Sequence, residues 1–331
     1  MLTRWRLLEH LTRSCDERPH DNRISLVKVA LSSVTVRVPA KVNLQLSVGP
    51  VRSDGYHELA TVFQAVGLFD EVVARSRAEI GVSLTTSGEG EGELPLDHRN
   101  LAYQAALALA DFAGIDAAVD LAIRKAIPVA GGMAGGSADA AATLLACDTL
   151  WRLGTARDDL SGIAADLGAD VPFALHGGTA IGTGKGENLT SVLSRGEFHW
   201  VFALADAGLS TPAVYSECDH LRAGRAVPEP YVSDMLMQAV RAGDPMLLGK
   251  ALHNDLQAAA LSLRPSLAQV LEVGDDFGAL GGIVSGSGPT CAFIARDEEH
   301  SLDLAVALTA SGVCRTVRRA IGPVAGAKVV G

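Results

Sequence analysis

Residues 128–139 read Pro-Val-Ala-Gly-Gly-Met-Ala-Gly-Gly-Ser-Ala-Asp, which places four glycines directly before an apolar helical pattern. The apolar residues that follow at spacings of three and four share one face of a helix. They are Ala140, Leu144, Cys147 and Trp151. The glycines then lie at a helix N-terminus, where backbone amides lack partners and the helix dipole is positive. Because glycine has no side chain to keep a ligand away, this combination is typical of a phosphate site.

The glycine loop has a second interpretation, which is a tight connection packed against neighbouring backbone. Two known phosphate fingerprints do not fit it. The loop contains no Gly-x-Gly-x-x-Gly, which argues against a Rossmann dinucleotide site. Gly131 and Gly136 have the spacing of a P-loop, but Ser137 stands where the P-loop lysine belongs. A nucleotide at this loop therefore requires a different kind of phosphate site. The choice between phosphate binding and tight packing depends on motifs elsewhere in the chain.

The composition is that of a globular protein long enough for two domains. The chain has 331 residues, of which 48% are hydrophobic and 20% charged, with a net charge of −10. This acidic balance argues against a nucleic-acid or membrane surface, which needs clustered Lys and Arg. The five cysteines lack metal-ligand spacing and favour a reducing compartment. We expect a cytoplasmic monomer or weak homodimer that binds neither nucleic acid nor membrane.

The sequence changes near residue 34 from a charged composition to an alternation of apolar and polar residues. Residues 1–33 are rich in Arg, Asp and Glu and lack the apolar core of a signal peptide, so we predict a flexible extension. Residues 34–48 alternate apolar and polar, which predicts two strand segments interrupted at residues 39–41. The alternation places Lys41 and Asn43 on the face opposite the apolar residues. Taken alone, Lys41 is most simply a solvated strand lysine.

Two short segments carry further candidates. Asp54-Gly55 is a turn signal, and Tyr56 and His57 beside it could form an aromatic platform with a hydrogen-bonding ring. The alternative is a hairpin tip with a packed tyrosine and an exposed histidine. Asp170 lies between a predicted helix end and a proline, where an aspartate is usually a cap or turn residue.

The remaining elements alternate between helices and strands and predict two domains. We predict helices at 101–112, 160–167 and 302–308, and strands at 62–73, 119–123, 198–205 and 316–320. Helical segments are also predicted from residue 211 through residue 271. The domains would span 34–194 and 195–331. A glycine loop at 281–290 precedes an apolar run. Such loops pack closely against another backbone segment or a ligand.

Three of these motifs, in this order, resemble the GHMP kinase superfamily: Pro39–Asn43, Pro128–Asp139 and Val284–Thr290. The similarity covers roughly residues 34–323. It implies an α+β fold of two domains, an N-terminal αβ ATP-binding domain and a C-terminal ferredoxin-like αβ domain. It also implies a small-molecule kinase, a phosphotransferase with an alcohol group as acceptor, that uses ATP and Mg²⁺.

Within the superfamily, residues 54–59 and 168–173 resemble the members that act on a cytidine-diphosphate-linked methylerythritol. The resemblance implies transfer of the ATP γ-phosphoryl to the 2-hydroxyl of 4-diphosphocytidyl-2-C-methyl-D-erythritol, in non-mevalonate isoprenoid biosynthesis. Three alternatives stay open. They are a GHMP kinase for mevalonate, homoserine or a sugar, a silent family member that senses a ligand, and a structural αβ protein whose glycines serve packing.

The resemblance assigns Lys41 and Asp170 as the catalytic pair. The substrate contacts it implies are Asn43, Tyr56, His57, Thr211 and Tyr215, with Tyr56, His57 and Tyr215 at the cytosine. The residues assigned to the ATP phosphates are Pro128, Val129, Ala130, Gly131, Gly132, Met133, Ala134, Gly135, Gly136, Ser137 and Ala138. Ala130, Met133, Ala134 and Ala138 replace Gly, Leu, Gly and Ser of the commoner family loop, and alanine still permits close approach where φ is negative. No acidic Mg²⁺ ligand can be named, and Ser137 is the hydroxyl closest to the family pattern.

Overall fold

The computed structural model describes residues 32–331, which form two β-sheets with their covering helices. Apart from its last two residues, the predicted extension at 1–33 therefore lies outside the described part of the chain. The strands are β1 Ser33–Val51, β2 His57–Ser76, β3 Gly81–Gly88, β4 Ala118–Lys125, β5 Thr179–Gly184, β6 Asn188–Ser191, β7 Phe198–Leu204, β8 His253–Asn254, β9 Gly281–Val284, β10 Cys291–Ala295, β11 Thr316–Gly322 and β12 Lys328–Val329. The helices are α1 Leu101–Ala113, α2 Gly135–Trp151, α3 Arg157–Leu167, α4 Val171–His176, α5 Thr211–Arg222, α6 Asp234–Ala242, α7 Pro245–Ala251, α8 Gln257–Leu263, α9 Ser266–Asp276 and α10 Glu298–Ser311.

The first sheet has eight strands and is built around the long pair β1 and β2. Its main path runs β12-β1-β2-β4-β3, while β5 pairs with β2, β6 with β5, and β8 with β1. Helix α2 packs on β1 and β2 and is buried over most of its length. The predicted apolar pattern is confirmed, since Ala140, Leu144 and Cys147 are fully buried. The helix that follows the glycine loop is therefore the central helix of the first sheet.

The second sheet has four antiparallel strands in the order β11-β7-β10-β9. Numbered by their sequence within this sheet, the strands follow the order 4-1-3-2, and helices α9 and α10 pack against them. This is the arrangement of the ferredoxin-like fold. The expected ferredoxin-like αβ architecture in the C-terminal half is therefore present.

The chain passes from the first sheet to the second between β6 and β7, but it later returns. Strands β8 and β12 come from beyond residue 195, and both pair with β1. The domain division at residue 194 stays a prediction, since the first sheet uses both parts of the chain. Neither β8 nor β12 was predicted, because two residues are too few to show an alternating pattern.

The predicted interruption of the first strand at residues 39–41 is wrong. Strand β1 continues through Pro39, and the break appears only as a register shift between Pro39 and Ala40 in the pairing with β2. A bulge tolerates a proline because one position leaves the hydrogen-bond ladder. Lys41 and Asn43 therefore sit on one continuous strand, two residues apart and on the same face.

Candidate active site

The glycine loop leads into the N-terminus of α2 as predicted. Ala134 occupies the position before the helix, and no side chain of the described residues caps it. The first helical hydrogen bond runs from the Ala138 amide to the Ala134 carbonyl at 2.9 Å. The amides of Gly135, Gly136 and Ser137 precede this bond, so they have no helical acceptor. These amides and the helix dipole make the helix start suitable for an anion.

The two alanines that replace glycines do not have the negative φ at which alanine is unstrained. Ala130 has φ 50° and Ala134 has φ 60°, both in the left-handed region. An L-residue there costs about 1–2 kcal/mol relative to a right-handed conformation. The surrounding contacts must compensate for this cost, as is common where backbone geometry serves a site.

The loop also packs tightly against the third glycine motif, between β9 and β10. Ser285 Oγ donates to the Gly132 carbonyl at 3.0 Å, and Gly132 has φ 74°. A Cβ on Gly132 would lie 2.0 Å from the Ser285 carbonyl oxygen, so only glycine fits. The packing interpretation of the glycines is thus correct for Gly132, although Gly132 and other residues of the same loop also line a cleft.

Lys41 is buried, with 6% of its surface exposed, and is not a solvated strand lysine. Its Nζ donates to Asn43 Oδ1 at 2.6 Å, and Asn43 Nδ2 donates to Thr61 Oγ1 at 2.8 Å. Burial lowers the pKa of Lys41, and the charge of Asp170 partly opposes this effect. The hydrogen-bond chain fixes the direction of the Lys41 ammonium.

Asp170 lies opposite Lys41. It occupies the N-cap position of α4, but its side chain makes no capping hydrogen bond. The carboxylate instead lies with Oδ2 3.8 Å from Lys41 Nζ, and the Asp170 side chain is 33% exposed. The cap interpretation of this side chain is therefore wrong, and the carboxylate is free to contact a ligand.

Lys41, Asp170 and the glycine loop line one cleft of about 590 Å³. The other predicted residues on its wall are Asn43, Pro128, Ala130, Gly131, Gly132, Ala134, Gly135, Gly136, Ser137, Thr211 and Tyr215. The side chains of Met133 and Ala138 are buried in the core, and Val129 lines a separate smaller cavity. Most of the predicted residues are thus brought to one place.

A second cavity of about 720 Å³ adjoins the first and is lined by the two remaining candidates for substrate contact. Tyr56 and His57 line it, and Thr211 and Tyr215 line both cavities. The hairpin-tip interpretation is reversed, because Tyr56 is 56% exposed while His57 is only 7% exposed. The His57 ring packs against Tyr215 with centroids 5.1 Å apart. Burial, followed by the charge of Asp170, raises the pKa of Tyr215, so its hydroxyl stays protonated.

Lys185 is the clearest residue that the sequence analysis missed. It lines both cavities, its Nζ lies 3.6 Å from the centre of the Tyr56 ring, and it is 3.7 Å from Asp54 Oδ2. Lys185 stands between Gly184 and Gly186, and this local sequence gives no signal for a position at the site. Its ammonium adds positive charge where the cleft of Lys41 and Asp170 meets the aromatic side chains of the second cavity.

A buried ion cluster lies beneath the glycine loop and was also missed. Lys125 Nζ donates to Asp70 Oδ2 at 2.5 Å and to Asp139 Oδ2 at 2.6 Å. Asp70 Oδ1 accepts the amides of Ala126 and Ile127, at 2.6 and 2.8 Å. Burial raises the pKa of Asp139 to about 8, because its charged form is poorly solvated. The cluster joins β2, the end of β4 and the first turn of α2, and so fixes both ends of the glycine loop.

Neither a candidate metal site nor a membrane-spanning helix is found among residues 32–331. No group of three or more His, Cys, Asp or Glu side chains is arranged to hold a metal ion there. The same residues include no helix with the length and apolarity needed to cross a membrane.

Comparisons with known proteins identify the family. Residues 100–178 match the GHMP kinases N terminal domain, and residues 236–314 match the GHMP kinases C terminal domain. A 4-diphosphocytidyl-2-C-methyl-D-erythritol kinase of Salinispora arenicola is 57% identical over 89% of this chain and 93% of that protein. The chain belongs to the 4-diphosphocytidyl-2-C-methyl-D-erythritol kinase family of GHMP kinases.

Other members of this kinase family agree with the assignment. The Mycobacterium tuberculosis 4-diphosphocytidyl-2-C-methyl-D-erythritol kinase is 56% identical over 94% of this chain and 97% of its own length. A crystal structure of a 4-(cytidine 5'-diphospho)-2C-methyl-D-erythritol kinase superimposes with a TM-score of 0.69 at 32% identity, covering 86% of this chain and 98% of that one. The predicted GHMP kinase fold and the prediction of a small-molecule kinase are confirmed.

Proposed function

We propose that this chain transfers the γ-phosphoryl of ATP to the 2-hydroxyl of 4-diphosphocytidyl-2-C-methyl-D-erythritol, giving the 2-phosphate and ADP in non-mevalonate isoprenoid biosynthesis. The observation that carries the proposal is the 3.8 Å approach of Lys41 Nζ to Asp170 Oδ2, in a cleft that also contains the start of α2. The names of the close relatives support this acceptor. We also propose that the reaction takes place in the cytoplasm, as expected for ATP-dependent small-molecule biosynthesis.

The start of α2 is suited to the triphosphate. Amides at Gly135, Gly136 and Ser137 can donate to phosphate oxygens, and each charge-assisted hydrogen bond is worth about 1.5–3 kcal/mol. The donor set fits Mg²⁺ held mainly by phosphates and water, with the Ser137 hydroxyl in the cleft as the protein ligand. When bound, Mg²⁺ would neutralise phosphate charge.

The catalytic pair acts on the acceptor hydroxyl. The Asp170 carboxylate accepts a hydrogen bond from the 2-hydroxyl and orients its oxygen toward the γ-phosphorus. Because the transition state of phosphoryl transfer is loose, the proton need not leave early, and a weak carboxylate base is sufficient. The Lys41 ammonium, fixed by Asn43, stabilises the negative charge of the transferring group.

The second cavity is suited to the cytidine end of the acceptor. Tyr56 and Tyr215 can stack on the base, with His57 at its edge, and Lys185 lies where the diphosphate would connect the two cavities. A base stacked on an aromatic side chain gains about 1–3 kcal/mol. This division places phosphoryl transfer in the first cavity and recognition of the base in the second.

Tyr56→Ala should raise KM for the cytidine substrate by about 5- to 150-fold, which corresponds to the loss of one stacking contact. KM for ATP should change less than about twofold, because Tyr56 lines only the second cavity. Steady-state kinetics with each substrate varied in turn would measure both values. Tyr56→Phe keeps the ring and serves as the control. Equal losses for the two substrates would contradict the placement of the base.

An ADP-release assay tests the function directly. The full chain is given ATP and either 4-diphosphocytidyl-2-C-methyl-D-erythritol, mevalonate or homoserine. We expect turnover only with the cytidine substrate, and a 2-phosphate product by NMR. Preferential turnover of mevalonate or homoserine would replace the proposal by another GHMP kinase activity. No turnover with any acceptor would favour the ligand-sensing alternative.

A further inference from the structure

The ring of His57 is held by a carboxylate from a different part of the chain. His57 begins β2, and its Nε2 lies 2.9 Å from Oδ1 of Asp219, on α5. This is the only polar contact of the Asp219 side chain among residues 32–331. Tyr215, one helical turn earlier on α5, packs against the same imidazole. Helix α5 thus holds the histidine by one polar and one aromatic contact.

The Asp219 contact determines the hydrogen-bonding character of the ring. An ionised carboxylate can only accept a hydrogen bond, so Nε2 of His57 must carry the hydrogen. In the neutral ring, Nδ1 is then an acceptor. Within residues 32–331 the only hydrogen bond of the His57 ring is the one at Nε2, and His57 lines the second cavity. The residue therefore offers the cavity an acceptor.

An acceptor at this position distinguishes two pyrimidines of nearly equal shape. Cytosine carries an amino group at the position where uracil carries a carbonyl oxygen. The amino group can donate to Nδ1, whereas a carbonyl oxygen would face it lone pair to lone pair. A buried polar atom left without a partner is costly, and such mismatches generate strong discrimination.

We propose that Asp219 is a positioning residue that fixes the tautomer of His57 and thereby makes the site select a cytidine diphosphate over a uridine diphosphate. The inference rests on the proposed function, because it assumes that the pyrimidine occupies the second cavity. Asp219 does not need to touch the substrate, since it acts through the ring.

Competitive binding of CDP and UDP to the full-length protein tests this role. We expect the wild-type protein to bind CDP at least about tenfold more tightly than UDP. This ratio of affinities corresponds to the free energy of one well-placed hydrogen bond. Asp219→Ala should reduce the ratio to less than about threefold. Asp219→Asn should reduce or invert it, because an amide can donate to Nε2 and move the ring hydrogen to Nδ1. Glu217→Gln, on the same helix but bonded to Ser262 at 2.6 Å, should leave the ratio unchanged.

Kinetics and a double variant separate positioning from a structural effect. In Asp219→Ala, KM for the cytidine substrate should rise about tenfold, while kcat and KM for ATP stay within about twofold. His57→Phe should abolish the CDP preference, and adding Asp219→Ala to it should change the ratio no further. An unchanged CDP-to-UDP ratio in both Asp219 variants, or equal weakening of CDP and UDP, would overturn the role of Asp219. A wild-type protein that prefers CDP but does not phosphorylate the cytidine substrate would instead overturn the proposed function.

Discussion

Asp170→Asn should lower kcat by about 10²–10⁴, the range typical of a positioned acid–base group, with little change in KM for either substrate. Asparagine has nearly the same size but cannot accept the hydroxyl proton, and its amide can turn an N–H toward the acceptor. Stability should stay within about 0.5 kcal/mol, because the Asp170 side chain makes no capping hydrogen bond that could be lost. Single-turnover and steady-state assays of ADP release would measure the effect.

Asp244→Asn is the matched control. Asp244 also occupies the N-cap position of a short helix with a proline in its first turn, but its carboxylate accepts from the Leu247 amide. Because asparagine is an equally good cap, this variant should keep wild-type turnover. An Asp170→Asn enzyme as active as Asp244→Asn would remove Asp170 from the mechanism.

Lys125→Met should lower the free energy of unfolding by about 3–5 kcal/mol. Lys125 is the only cation of the buried cluster in this part of the structure, and its side chain is 2% exposed. Removing it takes the counter-charge and the hydrogen-bond donor away from two buried carboxyl groups, Asp70 and Asp139, which is the costly way to break a buried ion pair. Urea titrations followed by circular dichroism would measure the loss.

The adjacent residue provides the control for the buried cluster. Arg124 forms an ion pair with Glu71, but its side chain is 71% exposed. Arg124→Met should therefore cost less than about 1 kcal/mol. Adding Asp139→Asn to Lys125→Met should recover part of the lost stability, since the asparagine amide can donate to the Asp70 carboxylate in place of Lys125. A Lys125→Met protein as stable as Arg124→Met would show that the cluster contributes nothing to holding the loop.

Local sequence pattern predicted the parts of the site that depend on one element. The spacing after the glycines placed the helix start correctly, and strand alternation placed Lys41 and Asn43 on one face. The local pattern could not predict that Lys41 is buried, because its burial depends on packing by segments that are distant in sequence. The 3.8 Å contact with Asp170 joins residues far apart in sequence, and only the family resemblance indicated it.

The wrong predictions share a physical cause, which is that tertiary contacts override local signals. His57 beside a turn would be exposed if α5 did not cover it, and α5 follows more than a hundred residues later. The left-handed backbone at Ala130 and Ala134 contradicts the preference of alanine and requires the surrounding loops. The cluster around Lys125 combines side chains from three elements, so no single segment could reveal it.

The pairing of β1 with β12 and β8 has a consequence for the folding of this protein during its synthesis on the ribosome. One edge of β1 is completed at Val36 by Val329 and at Gln45 by His253, so its partners are synthesised long after the strand itself. At a synthesis rate of about 5–20 residues per second, the main-chain groups of that edge stay unpaired for tens of seconds. An open strand edge is a template for pairing between nascent chains. Slow or paused translation between β1 and β12 should therefore increase aggregation of this protein and its dependence on chaperones.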